Sequence, residues 1–533
     1  MFHPAIAIRT IFALAMLGSA GVDADPSQRF SELNGQTQRV RAGCGFKDSQ
    51  NLTSLASGAD QWANGGNVED RSSNYSGAQA RAARSLSPGG DVTTASACGE
   101  EGKKEFVALV ADAWYRWPDE LADINPDDYS TADQFLYELT RPLATDGSGR
   151  DPGFSYLTTR AADEARGSTG GYVGFGFSFR FDEFNRFLFS DVFQGSPAAG
   201  AGFARGDQVL AIDTGKGYET IQQLAARNAT FEEMFGASKA CVERGFRVLK
   251  NNVVTESTLV KLPIDTPPLA VEPKLIERPG NYPVGYLNLR SFILTANDAL
   301  EEAVVLFKEA GVTDLVIDLR YNGGGLLSVA DVMLDLLGGL AATGEDSWRI
   351  THNEARRSED FGAVFAAVAN SMQPLRIAFI TSNGTASASE LVINSLAPHI
   401  EVVLIGEDTL GKAVGQYAFD QNRVSLEWAS CDTRLRLVTF DIVNGEGQGE
   451  YFNGLYDTVP KRFTLCPAAD DISRSFGDPA EASLSEALHW LNNGSCSNSG
   501  SLSTQRDIRG NREQQWDVVN VPDAPFDLSP WIQ

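Results

Sequence analysis

The sequence predicts a multidomain α/β protein whose largest part is a mostly parallel sheet covered by helices. Short β-branched runs alternate with helical patterns from residue 284 onwards, and a repeated β-α-β order builds a parallel sheet. A separate stretch near residue 175 alternates phenylalanine with small or polar residues, which is typical of a half-buried strand. With 533 residues, the chain is long enough for several domains.

The net charge limits the classes of binding partner, and the first residues indicate the cellular compartment. The formal net charge of −26 and the pI near 4.6 argue against a nucleic-acid or anionic-membrane partner. Arg9 is followed by an apolar run and then by small residues up to Ala24, which is typical of a signal peptide. Because this run is too short to span a membrane, we expect an exported protein, periplasmic or secreted, without stable membrane insertion after signal removal.

The six cysteines suit an oxidising compartment because their number is even. One arrangement joins Cys431 with Cys466 and Cys44 with Cys98, but six cysteines allow many other pairings, which stay open. No Cys-x-x-Cys spacing of a zinc or redox site occurs. We therefore expect no metal and no cofactor.

Changes in composition divide the chain. Residues 1–24 are the predicted signal peptide, and residues 25–100 are a low-complexity leader rich in Ser, Gly, Asn and Ala. Residues 101–168 carry apolar side chains at helical spacing and predict a small N-terminal helical subdomain. The last two predicted regions are the main domain, 267–496, and a C-terminal tail, 497–533.

The β-rich stretch between these regions resembles a known peptide-binding module. Its text GSPAAGAGFARGDQVLAID is similar to the bacterial PDZ pattern, with a Gly-Asp turn into the central strand. The resemblance implies a PDZ domain over residues 169–266 that binds the carboxyl end of a peptide as an added strand. The turn that would cradle this carboxylate consists of Gly171, Tyr172, Val173, Gly174 and Phe175.

Within the main domain, residues 381–416 contain the candidate catalytic residues. A buried strand leads into a turn that places Ser387 at a helix N-terminus, where unpaired backbone N–H groups point outward. A second strand leads to Lys412, whose neighbours are uncharged, and desolvation lowers the pKa of a lysine enough for it to act as a base. Gln416 lies four positions further on and shares a face with Lys412 if this stretch is extended.

The same motifs allow other interpretations. Ser387 with Glu390 fits a capping box, which needs no catalysis, and Ser389 is a rival nucleophile. The run from Gly406 to Lys412 matches a phosphate-binding loop, but the hydroxyl that would hold Mg²⁺ is replaced by an alanine. No histidine of the mature chain lies in a small-residue turn after a strand, so a conventional histidine-based triad is disfavoured.

Three segments of the main domain together resemble the carboxyl-terminal-processing (tail-specific) proteases. They are LVIDLRYNGGG, SNGTASASELV and VLIGEDTLGKAVGQ. The resemblance covers about residues 105–475, and it implies a ClpP/crotonase-like α/β protease core with an inserted PDZ domain. The sequence departs from the family's signature at Thr385, where the family has serine.

The resemblance also implies roles for individual residues. Ser387 is the expected nucleophile, Lys412 its base and Gln416 an assisting residue, while Ala388 and Gly324 supply the N–H groups of the oxyanion hole. These roles describe a serine endopeptidase acting on proteins or peptides with a free C-terminus. The alternative is a non-catalytic peptide- or ligand-binding protein on the same scaffold, which would have no reason to keep the three residues in register. The sequence makes no prediction of oligomeric state.

Overall fold

The computed structural model describes residues 97–497, apart from residues 183, 279 and 459. The predicted signal peptide, nearly all of the leader and all but one residue of the C-terminal tail lie outside these residues. Within them, no helix combines the length and the apolar character that a membrane span needs.

The segment before the β-rich region is mostly helical, as predicted. Its elements are α1 (Glu100–Trp114), α2 (Ala132–Thr145), β1 (Tyr156–Thr159) and α3 (Arg160–Thr169). Thr131 caps α2 because its hydroxyl accepts the Gln134 N–H at 3.2 Å. The apolar side chains of α1 and α2 pack into the core of the main domain, so these helices do not form a subdomain with a core of its own.

The β-rich region folds around a separate core made largely of phenylalanine rings. Its strands are β2 (Tyr172–Gly174), β3 (Phe177–Phe181), β4 (Phe187–Val192), β5 (Gln208–Asp213), β6 (Tyr218–Thr220), β7 (Glu243–Lys250), β8 (Val253–Val260) and β9 (Leu262–Ile264). Its short helices are α4 (Pro197–Gly200), α5 (Ile221–Ala226) and α6 (Phe231–Phe235). The sheet order is β3-β4-β5-β7-β8, with β6 beside β5, while β2 pairs with β9.

The main domain is built on a six-stranded sheet of order β10-β11-β12-β15-β16-β19. These strands are β10 (Lys274–Ile276), β11 (Val284–Asn288), β12 (Asp314–Asp318), β15 (Arg376–Thr381), β16 (Glu401–Gly406) and β19 (Leu465–Pro467). All pairs are parallel except β10 with β11, which confirms the predicted sheet. One face packs on α7 (Ala296–Glu309), α8 (Leu327–Gly338) and α9 (Ala388–Leu396), and the other on α11 (Ala482–Asn493).

A second, antiparallel sheet of the main domain was not predicted. It contains β13 (Asp346–His352), β14 (Phe361–Val364), β17 (Val414–Asp420) and β18 (Thr433–Asn444), with the short helix α10 (Gln421–Val424) after β17. The long strand β18 pairs with β17, with β13 and with β1 from the N-terminal segment. Gln416 therefore lies near the start of a strand of this second sheet and Lys412 lies just before that strand, whereas Ser387 follows a strand of the first sheet.

Two disulfides have both of their cysteines among the described residues. They join Cys98 to Cys431 and Cys466 to Cys496. The arrangement taken from the sequence, Cys431 with Cys466, is therefore wrong, as is any pairing of Cys98 with Cys44. Sequence order is a poor guide here because packing of α1 against the second sheet brings residues 333 positions apart together.

Candidate active site

The predicted nucleophile occupies a strained turn between a strand of the main sheet and the following helix. β15 ends at Thr381 and α9 begins at Ala388, with Ser387 in the position before the helix. Ser387 has a φ of +56°, a conformation that residues other than glycine rarely adopt. The Ala386 N–H donates to Asn322 O at 3.1 Å and holds the turn against the neighbouring strand end. Strain of this kind persists where surrounding contacts fix it, and it concentrates at active sites.

Glu390 links the nucleophile turn to the segment that carries the predicted base. Its side chain is fully buried, and its Oε2 accepts the N–H groups of Ser387 at 2.8 Å and of Lys412 at 2.9 Å. Its Oε1 accepts the Gly411 N–H at 2.7 Å. Burial raises the pKa of Glu390 to about 7, although the Thr409 hydroxyl and the three N–H groups act to lower it. Glu390 therefore makes the capping-box contact with the Ser387 N–H. The same carboxylate also positions the segment that carries Lys412, the predicted base.

Lys412 lies over an aromatic ring and beside an amide. Its Nζ donates to Gln416 Oε1 at 3.1 Å and lies 4.8 Å from the centre of the Phe154 ring. The Gln416 Nε2 donates to Phe154 O at 2.6 Å. Because both ends of the Gln416 amide are paired, its orientation is determined. The structure thus brings Lys412 and Gln416 together, as the sequence predicted, and adds Phe154 from the N-terminal segment.

Gly324 lies directly against the nucleophile turn. Its φ is +107°, and a Cβ added to it would lie 2.8 Å from Ser387 Cβ and 2.9 Å from Ala388 N. Only glycine fits this position, and the two residues predicted for the oxyanion hole, Gly324 and Ala388, are neighbours. The Gly324 N–H donates to Asn322 Oδ1 at 2.9 Å, so it can serve an oxyanion only by giving up that acceptor.

A buried cluster of charges lies behind the glycine turn. Arg320 pairs with Asp318 at 2.9 Å, with Glu481 at 2.9 Å and with Asp470 at 3.0 Å. Asp470 also pairs with Arg205 of the β-rich domain at 2.6 Å. Burial acts to raise the pKa of Asp470, but the Arg205 and Arg320 guanidinium groups hold it well below its usual range. The ion pair of Asp318 and Arg320 thus extends into a cluster that joins the two domains.

The stretch predicted to cradle a peptide carboxylate is divided between different elements. The Gly171 N–H donates to Ala165 O at 3.0 Å, so Gly171 belongs to the end of α3. Residues Tyr172–Gly174 form β2, which pairs antiparallel with β9. The turn itself falls at residues 174–176 and leads into β3, which is the end strand of the sheet order among the described residues. The role of this stretch in binding a carboxylate stays a prediction.

The rival interpretations meet other contacts. Ser389 is fully buried, and its hydroxyl donates to Asn322 O at 2.9 Å. A strand, β17, follows Lys412, whereas a phosphate-binding loop needs a helix N-terminus at this point. His352 Nδ1 lies 2.9 Å from Asp360 Oδ1 on the second sheet. These contacts favour structural roles for Ser389 and His352 rather than catalytic ones.

Comparison with known proteins relates part of the chain to a peptidase family. Residues 283–455 match the family model described as peptidase family S41. This part of the chain is therefore similar to that family. Among S41 relatives, the carboxyl-terminal-processing protease of Synechocystis sp. is 31% identical over 226 residues, which cover 42% of this chain and 49% of that protein. The carboxyl-terminal-processing protease of Picosynechococcus sp. is also 31% identical, over 42% of this chain and 50% of that protein.

The chain thus spans about half the length of these curated S41 relatives. A solved structure, the putative S41 protease from Bacteroides fragilis, aligns with a TM-score of 0.56 at 23% identity. The alignment covers 73% of this chain and 97% of that one, and it shows a shared fold. The predicted resemblance to the carboxyl-terminal-processing proteases is confirmed.

Several residues of this candidate site could not be predicted from the sequence. Glu390 carried a signal, its spacing from Ser387, but that signal indicated only a helix cap. Asn322 carried none beyond its place at the start of the glycine turn. Phe154 could not be found by any local pattern, because it precedes Gln416 by 262 positions and meets it only through the pairing of β1 and β17 with β18.

Proposed function

We propose that this chain is an exported serine endopeptidase in which a Ser387–Lys412 dyad, assisted by Gln416, hydrolyses peptide bonds. The observation that carries the proposal is the Glu390 carboxylate, which accepts backbone N–H groups from both the nucleophile turn and the base segment. One buried carboxylate therefore links the backbone of the Ser387 turn to the backbone of the Lys412 segment, which supports a site shared by the two residues.

The proposed reaction begins when the neutral Lys412 amine takes the proton of Ser387 Oγ, which attacks the scissile carbonyl carbon. The Ala388 N–H and one glycine N–H of the 322–325 turn would stabilise the resulting oxyanion. Gln416 Oε1 accepts one N–H of the amine and so orients it. Collapse of the intermediate releases the amine product, which receives the proton from Lys412, and water then hydrolyses the acyl-enzyme in the same manner.

Substrates are proposed to be proteins or peptides with a free C-terminus, presented by the β-rich domain acting as a PDZ domain. The resemblance of residues 169–266 to the PDZ pattern supports this proposal, because such domains bind an extended peptide as an added strand. The two domains are in direct contact through the pair of Arg205 and Asp470, so a peptide bound to the PDZ domain would lie on a unit attached to the catalytic core.

Export to an oxidising compartment is supported by the disulfides. Cys98–Cys431 and Cys466–Cys496 are structural cross-links within the described residues, and such bonds persist mainly outside the reducing cytosol. The signal peptide predicted for residues 1–24 would direct this export.

Labelling with a serine-reactive phosphonate, together with turnover of a fluorescent denatured protein, tests the dyad. Ser387→Ala and Lys412→Ala should each abolish labelling and turnover while leaving the fold intact. Ser389→Ala is the matched control, because it removes the rival hydroxyl two positions away and should retain labelling. Labelling that survives Ser387→Ala, or that is lost only in Ser389→Ala, would refute the assignment.

The pH dependence offers an independent test of a lysine base. Only the neutral amine can take a proton, so turnover should rise with pH as Lys412 loses its proton. A profile that stays flat from about pH 5 to pH 9 would contradict a lysine base even if Ser387 were the nucleophile.

A further inference from the structure

A turn in the N-terminal segment, residues 151–154, lies outside the region that matches the peptidase family and yet contacts the site. It is organised by Asp151, whose side chain is fully buried. Asp151 Oδ2 accepts the Tyr115 hydroxyl proton at 2.7 Å, and Oδ1 accepts the N–H groups of Gly153 at 3.1 Å and Phe154 at 2.7 Å. Three donors on one buried carboxylate determine the path of this turn.

Phe154 connects this turn to the predicted base, through its backbone carbonyl and through its aromatic ring. The Phe154 carbonyl accepts the Gln416 Nε2–H at 2.6 Å, and its ring lies 4.8 Å from Lys412 Nζ. An amide has one donor end and one acceptor end. Because its donor end is held by Phe154, the acceptor end of Gln416 faces the lysine, to which it is paired at 3.1 Å.

We propose that Asp151 is a positioning residue for the Lys412 base, acting through Phe154 and Gln416. The proposal rests on the proposed Ser387–Lys412 function and adds to it a component from outside the peptidase domain. In this view the 151–154 turn covers the amine with an aromatic ring and holds Gln416 in the orientation that directs the amine. Asp151 itself touches neither the substrate nor the reacting atoms.

Two effects of Asp151 on the amine have opposite signs, which makes the proposal testable. As an anchor of the turn, Asp151 keeps water away from Lys412, and a dry environment favours the neutral amine. As a charge, it favours the ammonium form. Among the described residues, Asp151 acts on Lys412 through its charge, and Glu390 accepts the backbone N–H of Lys412. Burial raises the pKa of Asp151, while the Tyr115 hydroxyl and the N–H groups of Phe154 and Gly153 act to lower it. The proposal assigns the larger effect to anchoring.

The experiment compares Asp151→Ala, Asp151→Asn and a matched control, Asp146→Ala, in the full chain. Asn keeps an oxygen for the two backbone N–H groups, and its amide can donate to the Tyr115 oxygen. Asp146 lies in the same loop but is exposed and contacts Ser148 and Arg150 instead. For each protein, kcat, KM, the acid side of the pH profile of kcat/KM and thermal unfolding are measured.

We expect Asp151→Ala to lower kcat by about 10- to 100-fold with little change in KM, because a displaced base slows the chemical step. Its pH profile should move to higher pH, since water entering around the amine favours the ammonium form. Asp151→Asn should recover most of the activity, and Asp146→Ala should match the unmodified protein. A folded Asp151→Ala variant with unchanged kcat, or a shift of both Asp151 variants to lower pH, would overturn the proposal.

If Asp151→Ala is recovered unfolded, Tyr115→Phe is measured in its place. It keeps the buried ring and removes only the hydroxyl that pairs with Asp151. A reduced kcat with a profile moved to higher pH supports the proposal, and an unchanged profile overturns it. Failure of the proposed function is distinguishable, because it would appear as turnover that survives Ser387→Ala or Lys412→Ala.

Discussion

Replacing Glu390 with glutamine should change stability in a way that depends on pH. Glu390 is 0% exposed, and burial raises its pKa to about 7 from an ordinary value of 4.5. Between these values the folded protein binds more protons than the unfolded chain, so the contribution of Glu390 to stability falls as pH rises. At about 1.36 kcal/mol per pH unit, the whole interval corresponds to about 3 kcal/mol.

Glutamine cannot titrate, so the variant lacks this contribution at every pH. It retains one acceptor oxygen, and its NH₂ group must face at least one of the three backbone N–H groups, at a cost of about 1–3 kcal/mol. We therefore expect Glu390→Gln to be less stable than the unmodified protein by about 1–3 kcal/mol at about pH 4, and the difference to move by about 3 kcal/mol in favour of the variant, which removes the deficit, by about pH 8. Turnover should nevertheless be lower at pH 8, because the nucleophile turn or the base segment has lost its acceptor.

Urea unfolding of both proteins over this pH range provides the measurement. Titrations common to the two proteins cancel in the difference between their free energies of unfolding. A difference that stays constant with pH would show that Glu390 does not titrate as its burial requires. A variant that matches the unmodified protein in both turnover and stability would refute the linking role of Glu390.

Three further changes follow from the same contacts. Gly324→Ala should lower kcat/KM by about 100-fold in a peptide-cleavage assay, because the added Cβ would lie 2.8 Å from Ser387 Cβ and displace the turn; normal kinetics would contradict the close approach. Replacing both Cys98 and Cys431 with serine should lower the free energy of unfolding by about 2–5 kcal/mol in urea, since their bond closes a separation of 333 positions; a change under about 1 kcal/mol would contradict this. Asp470→Ala should cost about 3–5 kcal/mol in the same assay, because it leaves the buried Arg205 guanidinium without its carboxylate and removes one of the three carboxylates that pair with Arg320; an unchanged midpoint would argue against the cluster.

The sequence by itself determined the elements whose signals are local. The alternation of strands and helices from residue 284 onwards follows the predicted β-α-β order, because hydrophobic periodicity is encoded in short windows. Ser387 lies immediately before α9, where a run of small residues between strand and helix indicated a nucleophile turn.

Only the tertiary structure decided which distant segments meet. The sequence contained no sign that Lys412 and Gln416 belong to a second sheet, that β1 joins that sheet, or that Cys98 reaches Cys431. Phe154 and Asp151 are invisible to any pattern of neighbouring residues, because their contacts with the site arise from packing of the N-terminal segment on β18. Local chemistry selects the turn and the residue type, whereas the position of one reactive group relative to another depends on how the sheets pack.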